Sequence, residues 1–262
     1  VAAMTAQRVI IKIGTAALTT SSGELDEAII THVVDQIAKL KKQGCEVVLV
    51  SSGAVGAGKA VFTLPDTTPP EKQVYAAIGQ VLLMNMYGRH LFTHQMLCAQ
   101  VLATKQDFSN QAHRHNLQTC MEHLLHDDIL PIINENDVVS MEELLFTDND
   151  ELAGLVASML DAHVVVFMTG VDGILGADGN VVRHIEIAAQ NDHHAAITPE
   201  VSTGGKGGMQ AKFEIAKRLA LEGRRVHMVN GKVRDIVLQA AENRSIGTVV
   251  TAKATPKRKV TS

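Results

Sequence analysis

Continuous β-branched runs alternating with helically spaced apolar residues constrain this chain more than any other feature. Val9-Ile10-Ile11, running on through Lys12-Ile13, reads as a strand covered on both faces. Leu25 to Lys42 then sets Ile29, Ile30, Val33, Val34, Ile37 and Leu40 at helical spacing, with Gly44 as the stop. Val47-Val48-Leu49-Val50 is a second buried strand, ending at Ser51-Ser52-Gly53-Ala54. A strand–helix–strand unit of this kind builds parallel sheets. Pro65 and Pro69-Pro70 mark a surface loop, and the alternation resumes beyond it. Helices are expected over Tyr75–Leu91, His113–Leu125, Leu152–Leu160, Met209–Leu221 and Ile236–Ala240. Strands are expected over Gln95–Leu102, Ile129–Ile133, Val164–Met168, Val226–Val229 and Thr248–Val250, with a hairpin or irregular excursion at 170–195. The simplest account is one compact three-layer α/β domain.

Composition narrows the classes of function. With 3% aromatics and no Trp, the core must rest on Val, Ile, Leu, Ala and Met. A formal net charge of −4 offers no general attraction for nucleic acid or an anionic membrane. The tail Lys253–Ser262 carries Lys257-Arg258-Lys259, which reads as a solvated, disordered segment rather than a nucleic-acid contact. No stretch approaches the roughly 20 apolar residues of a membrane span. The opening residues lack a signal-peptide pattern, and Met4 reads as a natural start, so a cytoplasmic protein is expected. Cys45, Cys98 and Cys120 are unpatterned, as in a reducing compartment.

Candidate chemistry gathers where strands end, the place where parallel α/β sheets bind ligands. Ser51-Ser52-Gly53-Ala54 follows the second strand, Asn134-Glu135-Asn136-Asp137 follows Pro131-Ile132-Ile133, and Thr169-Gly170 follows Val164–Met168. Lys12 interrupts an apolar run and leads into Gly14-Thr15. An ammonium there either snorkels or pairs with a carboxylate at the sheet edge, or points into a phosphate site. The Asx runs 134–137 and 148–150 can serve turns and caps, Asp148 or Asn149 capping the helix that follows. Two such dense runs exceed what capping requires. Gly204-Gly205-Lys206-Gly207-Gly208-Met209 precedes a helix bearing Lys212, so its amides can receive phosphate oxygens. No P-loop, H-R-D or D-F-G element is present. The twelve histidines show no H-E-x-x-H or Cys/His spacing, so no protein-held metal is expected. Carboxylates, amides, glycine backbone and two cations together point to phosphoryl transfer onto a small acid.

These segments, with Ala76-Ala77-Ile78-Gly79-Gln80 and Gln100-Val101-Leu102-Ala103-Thr104, run in an order that resembles the amino acid kinase family. The resemblance covers residues 8–252, and its Asn-Glu-Asn-Asp and Asp-Asn-Asp pair is similar to the branch that phosphorylates glutamate. It implies a three-layer α/β/α sandwich around a mainly parallel sheet of about eight strands. It also implies transfer from ATP, with Mg²⁺, to the γ-carboxylate of L-glutamate, opening proline synthesis. Ser52, Gly53, Asn134, Asp137 and Asn149 would hold glutamate, Asp137 facing its ammonium. Lys12 and Lys212 would flank the transferred phosphoryl group, with Asp150 orienting both. Gly14, Thr169, Gly207, Gly208, Met209 and Lys212 would contact ATP. A dimer or tetramer, a glutamyl phosphate reductase as partner, and a form without the C-terminal PUA domain complete the expectation. The alternatives are another small-acid acceptor on the same fold, or a non-catalytic regulator that binds glutamate or proline.

Overall fold

A computed structural model describes residues 7–20, 24–64, 71–139, 149–188 and 208–253. In chain order the elements are β1 (Arg8–Ile13), α1 (Thr15–Leu18), α2 (Glu27–Lys42), β2 (Glu46–Ser51), α3 (Ala54–Val61) and α4 (Glu71–Thr93). There follow β3 (Cys98–Ala103), α5 (Lys105–Ser109), α6 (Gln111–His126), β4 (Leu130–Glu135), α7 (Asn149–Met159) and β5 (Val164–Thr169). The last are β6 (His184–Ile187), α8 (Gly208–Leu221), β7 (Arg225–Asn230), α9 (Ile236–Ala241) and β8 (Thr248–Ala252). The strands form an eight-stranded sheet in the order β3-β4-β2-β1-β5-β7-β8-β6. Every pair is parallel except β7 with β8.

Strand alternation sends the apolar side chains into two layers, which explains the unbroken hydrophobic runs. Val9, Ile11, Ile13, Leu49 and Val166 pack with α2, α4 and α9. Ile10, Val48, Val50, Val165 and Phe167 pack with α6, α7 and α8 on the other face. The connection after β1 leads to α2 on one face and that after β5 to α8 on the other. β1 and β5 are neighbours, so their carboxyl ends bound a crevice at the topological switch point.

Helix ends follow local chemistry. Asp26 caps α2 by accepting from the Ala28 and Ile29 amides, and Gly44, at φ +84°, ends it in a left-handed turn. Strand β3 starts at Cys98 rather than Gln95, because Gln95 (φ 59°) closes α4 with amide bonds back to its last turn. The sequence reading missed α3, whose eight residues include two glycines. Gly58 has a packing reason: a Cβ there would lie 2.1 Å from the Tyr75 carbonyl oxygen. One on Gly79 would lie 1.7 Å from that of Ala54. Helices α3 and α4 therefore cross in backbone contact. The excursion after β5 contains an antiparallel bridge between Leu175 and Val181 before β6 joins β8.

Candidate active site

Lys12 lies in β1 opposite Val50 and Phe167, on the face covered by α7 and α8, and is 4% exposed. Its counter-charge is Asp150, the second residue of α7, which is fully buried. Lys12 Nζ lies 2.5 Å from Asp150 Oδ1, and Lys212 Nζ, from α8, lies 2.6 Å from Oδ2. One carboxylate thus clamps two ammonium groups and leaves the trio with a net positive charge. Burying an unpaired lysine would cost several kcal/mol, roughly, so Asp150 is what lets β1 carry one. A carboxylate in the first turn of α7 also suits the positive end of that helix.

Two glycines keep the space beside these cations free of side-chain carbon. A Cβ on Gly14 would lie 3.4 Å from Lys12 Nζ, and one on Gly208 would lie 3.7 Å from Lys212 Nζ. Gly208 opens α8 and accepts a bond from Lys212 Nζ at 3.4 Å. A polyanion can therefore approach both ammonium groups closely.

Beside the cations runs a chain of amides. Asn149 Nδ2 donates to the Ser51 carbonyl at 3.1 Å, to Ser52 Oγ at 2.7 Å and to Asn134 Oδ1 at 2.9 Å. Asn134 Oδ1 also accepts the Glu135 amide, and Asn134 Nδ2 donates to Gln80 Oε1 at 2.8 Å. Asn149 is the first residue of α7, and its Nδ2 serves this chain of amides. Behind it, Ser51 Oγ and the Tyr87 hydroxyl lie 3.0 Å apart, and burial pushes the Tyr87 hydroxyl well above its usual range. Gly53 turns the chain into α3 at φ +99°, a conformation that favours glycine.

A cleft of about 170 Å³ opens beyond Gln80, lined also by Ala54, Glu135, Asn136 and Asp137. Asp137 Oδ1 lies 2.8 Å from Lys72 Nζ at the start of α4. Neither Gln80 nor Lys72 was singled out from sequence. Gln80 stood in a matching segment with no role attached, and Lys72 had only its place after two prolines.

The remaining expected residues are placed as follows. Thr169 ends β5, its hydroxyl donating to the carbonyls of Val171 and Val229 and so closing its own loop. Met209 packs against the apolar layer that includes α7 and α8. Asp148 and Gly207, with the rest of the cluster from Gly204 and the tail from residue 254, lie outside the described residues. A larger groove of about 560 Å³ lies far from this chemistry, between Glu46 at the opposite end of β2 and His115, Glu122 and His126 of α6. Its two carboxylates are already taken by Arg8. Charge placement, not volume, marks the candidate site.

Comparison with known proteins bears on the family and the fold. The amino acid kinase family profile matches residues 7–230. The glutamate 5-kinase of Chlorobaculum tepidum is 42% identical over 247 residues, which are 92% of this chain and 68% of that protein. That of Bacteroides thetaiotaomicron is 39% identical, covering 88% of this chain and 65% of the relative. Glutamate 5-kinase 2 of Bacillus subtilis is 38% identical, covering 95% and 69%. The chain thus spans about two thirds of the length of these curated relatives. Among solved structures, Giardia carbamate kinase superposes with a TM-score of 0.66 at 19% identity, covering 95% of this chain and 99% of that one. UMP kinase from Bacillus anthracis gives 0.62 at 16%, covering 95% and 97%; both likenesses speak to the fold alone. The chain belongs to the amino acid kinase family, among its glutamate 5-kinases.

Proposed function

We propose that the chain transfers the γ-phosphoryl group of ATP to the side-chain carboxylate of L-glutamate, releasing ADP and L-glutamyl 5-phosphate as the first step of proline synthesis. The carrying observation is the Lys12–Asp150–Lys212 clamp at the sheet's carboxyl end, beside the amide chain that leads to Asp137.

A glutamate carboxylate, with a pKa of about 4.3, is already ionised at neutral pH and needs no general base. The obstacle is repulsion between that anion and a polyanionic phosphate chain. One carboxylate oxygen bonds to the γ-phosphorus while the bond to the β–γ bridging oxygen breaks, and ADP leaves with the electron pair. Lys12 and Lys212 neutralise charge on the phosphoryl oxygens in transit, and Asp150 holds their ammonium groups in place. Ser52, Gly53, Asn134, Asp137 and Asn149 hold glutamate, with Asp137 accepting from its ammonium. Asn149 Oδ1, buried and without a hydrogen-bond partner among the described residues, suits that role. Gly14, Thr169, Gly207, Gly208, Met209 and Lys212 line the nucleotide.

Mg²⁺ would enter on the nucleotide phosphates, beside the two lysines that Asp150 holds. When bound it would supply neutralisation of phosphate charge. The acyl phosphate product reacts with water, so a reductase that consumes it directly is the fitting partner, and a homo-oligomer is expected. No helix among the described residues is long and apolar enough to cross a membrane.

An ADP-release assay across L-glutamate, L-aspartate, N-acetylglutamate, carbamate and UMP tests the reading. Turnover with glutamate above all others is expected. Turnover with another acceptor and none with glutamate removes it.

A further inference from the structure

We infer that Gln80 reads the α-carboxylate of the amino-acid substrate and so sets the specificity of the site; this rests on the function proposed above. The argument starts from groups whose hydrogen-bonding sense cannot change. The Ser51 carbonyl only accepts, and the Glu135 amide only donates. The first fixes Asn149 with its Nδ2 toward Ser51 and Asn134. The second fixes Asn134 with its Oδ1 toward Glu135 and Asn149. Asn134 Nδ2 must then donate to Gln80, so Gln80 Oε1 accepts and its Nε2 is left as a donor. Two backbone groups, one in β2 and one in β4, thereby set the polarity of a side chain on α4.

Among the described residues, that donor is not spent. Gln80 is 8% exposed, and its Nε2 is buried with no hydrogen-bond partner among the described residues. Buried amide donors are nearly always satisfied, and one held this way beside a cleft is suited to an incoming acceptor. The cleft it lines is shared with Asp137 and Glu135. An anion entering between carboxylates needs a donor to meet it, and Gln80 Nε2, on a residue lining the cleft, is a donor with no partner among the described residues. In an α-amino acid the carboxylate and ammonium share one carbon. With the ammonium on Asp137, the α-carboxylate falls on the wall that Gln80 forms, while the γ-carboxylate extends toward Lys12 and Lys212.

The test compares L-glutamate with 4-aminobutyrate, which keeps the ammonium and the reacting carboxylate but lacks the α-carboxylate. In the full chain, Gln80→Met removes the donor at nearly constant volume. It should raise KM for glutamate by about 10- to 100-fold, as for a lost hydrogen bond to a charged group. KM for ATP should hold, and kcat/KM for 4-aminobutyrate should change little, so discrimination between the two acids collapses. Gln80→Glu keeps an acceptor for Asn134 but turns a carboxylate on the substrate's own. It should weaken glutamate further, which isothermal titration in the presence of ADP reads even without turnover. Should Gln80→Met fail to fold, the same titration of Gln80→Glu decides. Undiminished discrimination in Gln80→Met, or undiminished glutamate binding by Gln80→Glu, overturns the role of Gln80 alone. A wild-type protein inert toward glutamate overturns the proposed function instead.

Discussion

Lys72 holds its ammonium 2.8 Å from Asp137 Oδ1, against a carboxylate that lines the cleft. The lysine side chain is 56% exposed and that of Asp137 only 12% exposed, so the cation comes from solvent to a half-sheltered anion. With its lysine end in solvent, such a pair contributes about 1 kcal/mol, little enough for a substrate ammonium to displace it. Lys72→Met should therefore leave stability almost unchanged and lower KM for glutamate by up to about fivefold, that same energy expressed as binding. Initial-rate kinetics at varied glutamate check this, and a raised KM would give Lys72 a direct part in holding the substrate.

Asp150 is the point at which catalysis and stability meet. Asp150→Asn takes from both lysines the buried carboxylate they share, at a cost of about 3–5 kcal/mol that a denaturation curve reads directly. Lys12→Ala and Lys212→Ala should behave differently. Each should raise the barrier to transfer by about 2–4 kcal/mol while glutamate binding persists, since the amide chain is untouched. Single-turnover rates beside glutamate titrations separate the effects, and wild-type turnover in either lysine variant contradicts its assigned role.

Helix α4 contains a matched pair of glycines with opposite expectations. A Cβ on Gly79 would drive into the backbone of α3, 1.7 Å from the Ala54 oxygen and 2.6 Å from the Gly58 nitrogen. Gly79→Ala should cost about 1–3 kcal/mol and, by shifting the neighbouring Gln80, raise KM for glutamate. Gly88 has nothing within 4 Å of its added Cβ, so Gly88→Ala should stabilise by about 0.5–1 kcal/mol. Urea midpoints of the two variants that moved in the same direction would show that the α3–α4 crossing is looser than drawn.

His227 makes stability depend on pH. It lies in β7 between Val166 and Val249, fully buried, with neither ring nitrogen hydrogen-bonded among the described residues. Burial, with the nearby Arg225 cation, pulls its pKa down from 6.5 to about 4. Between those values the unfolded chain binds the proton and the folded chain does not. Stability therefore falls as pH drops from about 6.5 toward 4, by about 2 kcal/mol at pH 5. His227→Leu should flatten that part of the profile, and an unchanged acid slope would assign it to other groups.

The parts of this protein legible in its sequence are those where a single residue breaks a pattern. Lys12 stands out because an ammonium inside an apolar strand demands a partner, and the dense Asx run at 148–150 supplied a candidate. The central strands β1, β2 and β5 were legible because burial on both faces leaves unbroken Val and Ile. What escaped depended on distant neighbours. Helix α3 went unread, and its Gly58 answers to α4, not to helix propensity. The reversed direction of β8 beside β7 leaves no local trace in Thr248–Val250. Gln80 carries its meaning only through Asn134, and Lys72 only through Asp137, contacts that no spacing rule anticipates.

The position of β1 at the centre of the sheet ties the onset of activity to the completion of the chain. Its lysine pairs with a carboxylate from α7, and the second lysine on that carboxylate comes from α8, elements made long after β1 during synthesis. A nascent or truncated chain ending before residue 149 would hold an uncompensated cation at its centre, and one ending before residue 208 would have only half of the phosphate clamp. On the proposed function, a partial product of translation would lack the pair of cations that transfer from ATP requires.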